Sequence, residues 1–399
     1  MKNLMVKSGE GKMKIAIFVH DLHMELGHSR ALIEQLRNIP ASDLDEIKIF
    51  TYSCGDPDKM FPNLPGKVQV VNAPIKNLYP FLLKTLFYHW WVFWMLKKHN
   101  LEGFIKLGIG VASLNVDVVN IQFVQCQWEE AFFKLLKMHL FVKAYKKIMY
   151  YYFRKCEEYL FTKKNVKIYV LSQFVYDYMR SRFNVNPDRL ALIYSGINLE
   201  QFKLSSNERI AVFNSLKSEY PQLNILNPDQ ATYLFVGAYE RKGLATVLSC
   251  LSNLPEYQLI VVGEKDATGS ILFSENPKHK TVKVKYTNRI TDFYNISDSF
   301  FFPTMYEPFG LVILEAAAMG LQIITRLQEV GASELLKGLA EVYFIDDHKG
   351  DNKIPAIQYL SREDKEKIRQ ERLQRFKNYT WVKSSEQLLK FLKTSKPSI

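Results

Sequence analysis

Short apolar runs alternate along the chain with segments in which apolar residues recur at helical spacing. In the first half the apolar runs fall at 14–19, 46–51, 68–71, 116–122 and 166–171. In the second half they fall at 233–236, 258–262, 282–284, 299–302, 322–325 and 341–345, with helices such as 243–251 and 311–319 between them. This alternation predicts parallel sheets joined by right-handed crossovers, in two doubly wound α/β domains.

The length of the chain agrees with two domains, because 399 residues exceed what one hydrophobic core usually organises. We expect the joint near 198–207, where the sequence NLEQFKLSSN is polar and follows the first series of strands. The predicted domains are therefore 1–199 and 200–379. Ligands of open parallel sheets bind beyond the carboxyl ends of the strands, so two such sheets facing a cleft would share one site.

The composition is that of a folded protein, with 47% hydrophobic and 24% charged residues. Its cysteines, at positions 54, 126, 156 and 250, lie too far apart in the sequence for a zinc motif or a disulfide scaffold. The apolar run at 15–19 is too brief for a secretory signal. We therefore expect a cytoplasmic protein.

The net charge of +12 is unevenly distributed. Between positions 132 and 167, ten Lys or Arg residues stand against two Glu, and aromatic residues are mixed among them. Such a segment suits an anionic membrane surface or a nucleic acid, and it equally describes ordinary amphipathic helices with aromatic core faces. Of the two partners, we expect an anionic membrane surface and no nucleic acid.

The window 78–96 (LYPFLLKTLFYHWWVFWML) is the most apolar in the sequence and is nearly long enough to span a bilayer. Pro80, Lys84 and His89 interrupt it, and three tryptophans cluster near its end. These features favour a buried core helix or a helix lying in the membrane interface over a transmembrane helix. We therefore expect at most a peripheral position on the inner face of the cytoplasmic membrane.

The strongest chemical signal is the segment YEPFGLVILE, which follows an apolar strand. Glu307 lies in its loop, and Gly310 opens a helix whose first N–H groups, at Gly310, Leu311 and Val312, suit a phosphate. Glu315 lies just over one turn inward, where a carboxylate can accept hydrogen bonds from a ribose diol. Glu307 could do the same for sugar hydroxyls. Taken singly, either glutamate also fits an ordinary helix-terminal or surface carboxylate.

Residues 301–325 (FFPTMYEPFGLVILEAAAMGLQIIT) resemble the Glu-x7-Glu motif of the family 4 glycosyltransferases, in the form found in bacterial enzymes of lipopolysaccharide-core and cell-surface-polysaccharide type. Residues 235–243 (FVGAYERKG) look like the turn whose basic residues hold the donor diphosphate in that family. YSGIN at 194–198 resembles the segment that closes the first domain, usually Asn-Gly-Val-Asp, with Ser195 and Asn198 replacing the first and last residues.

Two shorter segments extend the resemblance over most of residues 165–395. VVGE at 261–264 resembles the next strand and loop, and YTW at 379–381 resembles the start of the final helix. The resemblance implies the GT-B fold, in which two Rossmann-like doubly wound domains face a central cleft. It also implies that the C-terminal helix, 380–399, crosses back to the first domain.

The resemblance implies a retaining transferase that moves a sugar from a nucleotide-sugar donor to a glycan or lipid-linked acceptor, in cell-surface polysaccharide or lipopolysaccharide synthesis. We expect a UDP-sugar rather than a GDP- or ADP-sugar, and neither a cofactor nor a metal. The residues expected to take part in catalysis are Arg241, Lys242 and Glu307. The residues expected to bind the donor are Gly27, Gly237, Arg289, Phe309, Gly310, Leu311, Val312 and Glu315. Contacts that select the base are expected at 264–270 and 286–290.

Retention would proceed by departure of the nucleotide from the front face, with Arg241 and Lys242 neutralising the charge on the diphosphate. A covalent intermediate on Glu307 is the competing mechanism, and it ranks lower because the resemblance assigns Glu307 to donor-sugar hydroxyls. The Asp-x-Asp triplets at 43–45 and 56–58 are of the kind that binds metal in the other glycosyltransferase fold. We interpret both as chance matches in polar connecting segments.

The first domain departs from the family pattern at two places. After the first strand only Gly27 remains of an expected Gly-Gly turn, followed by His28, so this turn either contacts phosphate or acceptor or is an ordinary helix start capped by Ser29. Asn120 and Gln122 stand where several relatives have a histidine. These amides cannot act as bases, although both can bind sugar hydroxyls.

Two other functions remain open from the sequence. A sugar-nucleotide epimerase of the same fold would need acid and base groups in the first domain, which Asn120 and Gln122 do not offer. A basic module that binds membrane or nucleic acid without catalysis fits the basic segment but does not need the Glu307 and Glu315 site.

Overall fold

The computed structural model describes residues 12–75, 77–135, 139–263, 277–346, 354–355 and 357–395. The chain divides into two compact units. The first consists of Met1–Leu171, Tyr176–Gly196 and Trp381–Ile399, and the second of Ser172–Val175 and Ile197–Thr380. The main passage between them, at 196–197, lies just before the polar segment predicted as the joint.

The strands of the first unit are β1 (Met13–Phe18), β2 (Asp21–Leu22), β3 (Leu44–Thr51), β4 (Ser53–Cys54), β5 (Val68–Asn72), β6 (Phe104–Ile109), β7 (Val118–Ile121), β8 (Lys167–Val170) and β9 (Leu190–Leu192). The helices in this part of the chain are α1 (Gly27–Arg37), α2 (Pro57–Met60), α3 (Phe81–Lys98), α4 (Gln125–Leu135), α5 (Leu140–Thr162) and α6 (Gln173–Phe183). The main sheet is parallel, in the order β5-β3-β1-β6-β7-β8-β9, while β2 and β4 pair separately.

The strands of the second unit are β10 (Thr232–Val236), β11 (Tyr257–Gly263), β12 (His279–Lys285), β13 (Ser299–Phe302), β14 (Gln322–Thr325) and β15 (Val342–Phe344). Its helices are α7 (Arg209–Glu219), α8 (Leu244–Leu251), α9 (Ile290–Ile296), α10 (Leu311–Ala318) and α11 (Arg362–Phe376). The sheet is parallel in the order β12-β11-β10-β13-β14-β15, which is the Rossmann order. The order reverses between β10 and β13, so a ligand crevice is expected where these two strands end.

The strands predicted from the sequence are all present, but β6 and β9 of the main sheet were missed, as were the two-residue strands β2 and β4. In β6, Lys106 and Gly108 break the apolar run, although every residue of the strand is buried. Both positions have tertiary contacts that the local pattern does not show: the Lys106 backbone N–H donates to the Asp117 carboxylate at 2.8 Å, and a Cβ on Gly108 would lie 3.2 Å from Val116. Packing therefore overrides the local pattern at this strand.

The apolar window at 78–96 forms α3. Thr85, Tyr88, Trp91 and Val92 on one side of this helix are buried. In the part of the chain that the structure describes, no helix combines the length and the hydropathy needed to cross a bilayer. One face of α3 therefore belongs to the core, as the core-helix alternative predicted.

The last helix, α12 (Trp381–Lys393), belongs to the first unit and packs against α1. The Ser384 hydroxyl accepts from Gln35 Nε2 at 3.0 Å and donates to the Tyr194 carbonyl at 2.6 Å. The Ser385 hydroxyl donates to the Gln35 carbonyl at 2.7 Å. Small hydroxyl side chains thus allow α12 to lie close to α1, and the predicted return of the C-terminal helix is confirmed.

Candidate functional site

The loop that follows β13 holds Glu307 in a fixed backbone position. The Glu307 N–H donates to the Glu329 carbonyl at 2.8 Å, and its carbonyl accepts from the Gly331 N–H at 2.9 Å. Glu307 and Val330 thereby form a short parallel bridge. The loop containing Glu307 is therefore anchored to the segment that follows β14, at the carboxyl edge of the sheet.

The carboxylate of Glu307 contacts the two cations that the sequence predicted beside it. Its Oε2 lies 3.2 Å from Arg241 Nη1 and also pairs with Lys242 Nζ. Arg241 Nη1 donates in addition to the Tyr306 carbonyl at 3.2 Å. Burial, and then the neighbouring charge of Arg241, lower the pKa of Lys242 well below its usual value. Two cations against one carboxylate leave this group a net positive charge that an anion would neutralise.

The turn after β10 places these cations through unusually close packing. Gly237 has φ +129°, and a Cβ there would lie 3.0 Å from Cγ of Lys242. Gly243 has φ +82°, and a Cβ there would lie 2.3 Å from the Pro303 carbonyl oxygen. The Thr304 hydroxyl donates to the Arg241 carbonyl at 3.1 Å. The loops after β10 and β13 therefore touch backbone to backbone at the point where the strand order reverses.

The N-terminus of α10 opens in the same loop. Gly310 precedes the helix with φ +97°, and no side chain caps it. Within the described residues, no acceptor receives the N–H groups of Gly310, Leu311 or Val312. Phe309 is buried, and its carbonyl accepts from the Ala332 N–H at 2.8 Å. The helix start thus presents unbonded N–H groups and a positive dipole end, which together favour a phosphate.

Glu315 lies one turn into α10 and is only 4% exposed. The hydroxyl of Tyr294, on α9, donates to its Oε2 at 3.2 Å. Sequence reasoning did not find Tyr294, which is buried among apolar residues of a short helix. The only feature that could have pointed to Tyr294 is general: a buried tyrosine hydroxyl needs a hydrogen-bond partner. Tyr294 orients the carboxylate that was predicted to hold a ribose.

Arg289 is not brought to this group. It precedes α9, where Nη1 lies 3.0 Å from Glu219 and Nη2 lies 2.7 Å from Asp292. Nη2 also donates to the Ser215 hydroxyl at 2.9 Å. Because two carboxylates occupy this guanidinium, its position lends no support to the predicted donor contact. Of the two segments predicted to select the base, 286–290 is described, and 264–270 lies outside the described residues.

In the first unit, Gly27 begins α1 in an exposed position with open space around it. The alternative in which Ser29 caps this helix is wrong. Ser29 lies inside α1 and donates its hydroxyl to the Asp21 carbonyl at 2.8 Å, while Leu26 occupies the N-cap without a side-chain bond. The β2 segment, rather than the helix start, uses this hydroxyl.

Asn120 and Gln122 lie at the end of β7, and both are buried. Within the described part of the chain, the oxygen and nitrogen atoms of both side-chain amides have no hydrogen-bond partner, and neither has Nε2 of His20. His20 follows β1 and packs against the rings of Tyr52 and Tyr88. Burial, followed by the charge of neighbouring bases, lowers the pKa of His20 to about 3, so its imidazole is neutral. Buried polar groups without partners are costly, and a ligand with hydroxyl groups would satisfy them.

The family model described as "Glycosyl transferases group 1" matches residues 217–380. The matched residues all lie within the second unit. An uncharacterized glycosyltransferase of Methanocaldococcus jannaschii is 28% identical over 178 residues, which are 42% of this chain and 44% of that protein. The chain thus matches less than half of the length of this curated relative.

Solved structures similar to the whole chain show the fold. WaaG, a glycosyltransferase involved in lipopolysaccharide biosynthesis, has a TM-score of 0.63 at 17% identity and covers 96% of both chains. Sucrose-phosphate synthase from Thermosynechococcus elongatus has a TM-score of 0.69 at 15% identity, covering 96% of this chain and 98% of its own. HepE of Anabaena has a TM-score of 0.58 at 13% identity, covering 96% and 100%. The predicted GT-B fold of two Rossmann-like domains is confirmed.

The Asp-x-Asp triplets lie outside the residues that the family model matches. Asp43, in the turn before β3, pairs with Lys393 at 2.8 Å, and Asp45, within β3, pairs with Lys14 at 3.6 Å. Asp56 caps α2 by accepting from the Asp58 N–H at 3.1 Å. Among the described residues, no three His, Cys, Asp or Glu side chains gather as a metal site would require. Independence from metal stays a prediction.

Proposed function

We propose that this protein is a retaining glycosyltransferase that transfers a sugar from a UDP-sugar to a glycan or lipid-linked acceptor without a metal. One observation carries the proposal. Glu307 pairs with Arg241 and Lys242, and the loop that carries Glu307 packs against the loop that carries the two cations. The Glu307 loop leads into α10, whose first N–H groups have no acceptor among the described residues. Cations and helix N–H groups at the switch point of a Rossmann sheet form a binding site for a diphosphate.

Each part of the site then has a role toward the donor. Arg241 and Lys242 neutralise the diphosphate, and the first N–H groups of α10 bind its phosphate oxygens. Glu315, held by Tyr294 at 3.2 Å, accepts hydrogen bonds from the ribose hydroxyls. Negative charge grows on the diphosphate as the glycosidic bond to the nucleotide breaks, so cations fixed beforehand lower the barrier of that step.

The environment of Glu307 favours front-face departure over a covalent intermediate. A carboxylate is a good nucleophile when its negative charge is not shared with adjacent cations. Oε2 of Glu307 already binds both Arg241 and Lys242. Such pairing lowers its nucleophilicity and suits a residue that orients donor-sugar hydroxyls and the two cations. The acceptor proton would pass to the departing phosphate, and the protein would act by positioning and charge stabilisation.

The first unit supplies a candidate position for the acceptor. The side-chain amides of Asn120 and Gln122 are buried without partners at the end of β7, and so is Nε2 of His20 after β1. Together they offer donors and acceptors suited to sugar hydroxyls. Because the pKa of His20 is lowered to about 3, this ring would act as a neutral hydrogen-bonding group rather than as a strong base.

The choice of nucleotide and pathway rests on relatives. HepE of Anabaena was solved with UDP and glucose and with UDP-glucose, and WaaG acts in lipopolysaccharide biosynthesis. At 13% to 17% identity these proteins share the fold with this chain. They support UDP as the nucleotide to test first and a cell-surface glycan as the acceptor class, with the family 4 resemblance pointing the same way.

Isothermal titration with UDP, GDP, ADP and CMP in the presence of EDTA tests the donor site. We expect UDP to bind selectively without metal, and Glu315→Ala to weaken its affinity about tenfold or more, because charged hydrogen bonds are lost. Glu363→Ala, which removes an exposed carboxylate of α11, is the matched control and should bind UDP normally. Equal UDP affinity in both variants would remove the ribose role of Glu315. If none of the four nucleotides bound, the proposed function would be contradicted.

The stereochemical outcome needs a separate measurement. Proton NMR of the first product formed from an α-linked UDP-sugar should show an α-linked sugar. A β-linked product would contradict retention while leaving the donor site intact.

A further inference from the structure

Helix α3 is apolar on every side, but only one side is covered. Its buried side contains Thr85, Tyr88, Trp91 and Val92. The Tyr88 hydroxyl lies 2.6 Å from the Phe50 carbonyl and 3.0 Å from the Val19 carbonyl, which fixes this side to the first sheet. A helix that is hydrophobic all round normally has both sides buried, in protein or in lipid.

The opposite side of α3 carries large apolar side chains that the described structure leaves exposed. They recur at the helical spacing of one face, and their exposed fractions run from 39% to 60%. We name this face the aromatic stripe; it consists of Leu83, Leu86, Phe87, Trp90, Phe93 and Trp94. Helix α3 has 18 residues and is about 27 Å long. The stripe is therefore a continuous apolar patch, unlike the single exposed apolar residues of an ordinary protein surface.

Helix α5 extends the stripe at one end. The Leu82 N–H bonds to the Tyr145 hydroxyl at 3.0 Å, and His89 Nδ1 bonds to the Tyr152 hydroxyl at 2.5 Å. Both pairs are 63 residues apart in the sequence, so α3 and α5 run parallel, side by side. The first turn of α5 therefore lies beside the start of α3. That turn exposes Leu140, Phe141 and Val142 by 74%, 79% and 47%.

The charges around these residues are positive. Lys97 and Lys98 close α3 and are exposed, and Nζ of Lys97 lies 4.3 Å from the centre of the Phe93 ring. Lys143 and Lys147 are exposed on the first turns of α5. Helix α3 contains no Asp or Glu, and α5 contains none before position 157. The two helix segments thus combine apolar aromatic side chains with cations and contribute no carboxylate of their own.

We propose that the aromatic stripe and the first turn of α5 bind the surface of a bilayer that contains anionic lipids. Tryptophan is enriched where membrane meets water, and lysines beside an apolar helix attract anionic headgroups. A second copy of this chain fits less well, because a two-fold contact would bring the lysines of one face against those of the other. The proposal rests on the proposed function in one respect, since a lipid-linked acceptor would lie at the same membrane.

Flotation with vesicles tests binding directly. The probes are vesicles of phosphatidylcholine alone and of phosphatidylcholine with 30 mol% phosphatidylglycerol. We expect the wild type to float with the anionic vesicles and less with the neutral ones. The double variant Trp90→Ser/Trp94→Ser should lose about tenfold or more of the partition coefficient, since two apolar side chains no longer insert. The control Ile225→Ser/Val382→Ser removes two residues exposed to a similar degree, 54% and 51%, and should bind as the wild type does.

Tryptophan fluorescence locates the contact. Trp91, Trp128 and Trp381 are buried, whereas Trp90 and Trp94 are exposed. Vesicles with brominated acyl chains should therefore quench the tryptophan fluorescence of the wild type. The variant Trp90→Phe/Trp94→Phe should lose most of that quenching although it still floats with the vesicles. Lys97→Glu/Lys98→Glu should reduce binding about tenfold or more at low salt, with a smaller effect at high salt.

Three results would overturn the proposal. One is a wild type that floats with neither kind of vesicle, and another is a Trp90→Ser/Trp94→Ser variant that floats as well as the control. The third is a dimer, seen by sedimentation velocity, that the same variant dissociates in the absence of vesicle binding. UDP titration of the variants separates this proposal from the proposed function. Vesicle binding without UDP binding would contradict only the transferase, and normal UDP binding without vesicle binding would contradict only the membrane surface.

Discussion

Replacing Lys242 by methionine separates the proposed catalytic role of this cation from its place in the fold. The side chain of Lys242 is 11% exposed, and its Nζ lies 4.8 Å from the centre of the Phe302 ring. Methionine has a similar length and suits this apolar contact. Glu307 keeps Arg241 as its partner, at 3.2 Å, so the variant does not leave a buried carboxylate alone. We therefore expect the variant to fold and to fail in transfer.

The expected effect of Lys242→Met on turnover is much larger than its expected effect on stability. Loss of one fixed group that faces developing negative charge lowers turnover about 100- to 1000-fold, which corresponds to about 3–4 kcal/mol. Stability should change much less. Burial and Arg241 lower the pKa of Lys242, which shows that the folded protein bears a cost for this cation. Methionine removes that cost together with the ion pair, so the free energy of unfolding should change by about 1 kcal/mol or less.

The assay measures UDP release in the presence of acceptor, alongside unfolding in urea. Lys203→Met is the matched control, because the side chain of Lys203 is 64% exposed and pairs with an exposed glutamate at 3.7 Å. We expect kcat of Lys242→Met to fall while its unfolding midpoint stays near that of the control. Turnover within about threefold of the wild type would refute the diphosphate role. A large loss of stability would refute the reasoning about the ion pair.

Further outcomes are expected at three other residues. Tyr294→Phe should raise the Kd for UDP a few-fold in titration calorimetry, because Glu315 loses an orienting bond. The same change in a Glu315→Gln background should have little further effect, and an undiminished effect there would show that Tyr294 acts elsewhere. Gly243→Ala should lower the free energy of unfolding in urea by about 2 kcal/mol or more, since its Cβ would meet the Pro303 carbonyl at 2.3 Å. Burial raises the pKa of Glu157 from 4.5 to about 7, so its stabilising contribution is present below pH 4.5 and is lost as the pH rises through 7. Relative to Glu157→Gln, the wild type should therefore lose about 3 kcal/mol between pH 4.5 and 8 in urea unfolding, and parallel pH profiles would contradict this.

Most of the fold was predictable because a doubly wound sheet has a strong local signature. Apolar runs such as 299–302 and 322–325 are buried on both faces and stand out in the sequence. Strand β6 was not predictable in this way. Its Lys106 and Gly108 serve contacts with residues that the local pattern does not reveal, and β9 is a three-residue strand at the edge of the sheet.

The candidate site was predictable where its residues adjoin a strand end. Glu307, Arg241 and Lys242 follow β13 and β10, which are neighbours in the sheet, so the topology brings them together. Tyr294 and Glu315 are 21 residues apart on different helices, and only the packing of α9 against α10 reveals their bond. Arg289 shows the opposite case, because a basic residue near the donor loops pairs instead with nearby carboxylates.

The closeness of the loops explains how the site can be ready before a donor binds. The loop after β10, which carries both cations, touches the loop after β13 where Gly243 meets the Pro303 carbonyl. The loop after β13, which carries Glu307, touches the segment after β14 where Gly331 meets the Pro308 carbonyl. A Cβ at either glycine would lie within 2.3 Å of these oxygens. Loops fixed in this manner cannot move the cations far, so little reorganisation remains to be done during the reaction.

The pairing of the two cations with Glu307 also bears on how a donor would bind. Arg241 and Lys242 are held by one shared carboxylate, Glu307, and the three groups together keep one positive charge in excess. A diphosphate brings more negative charge than that excess, so it would bind against the cations while they stay paired with the glutamate. Glu307 would then turn its other carboxylate oxygen, Oε1, to the hydroxyls of the donor sugar. The same carboxylate would thus hold the cations in place without donor and orient the sugar once the donor is bound.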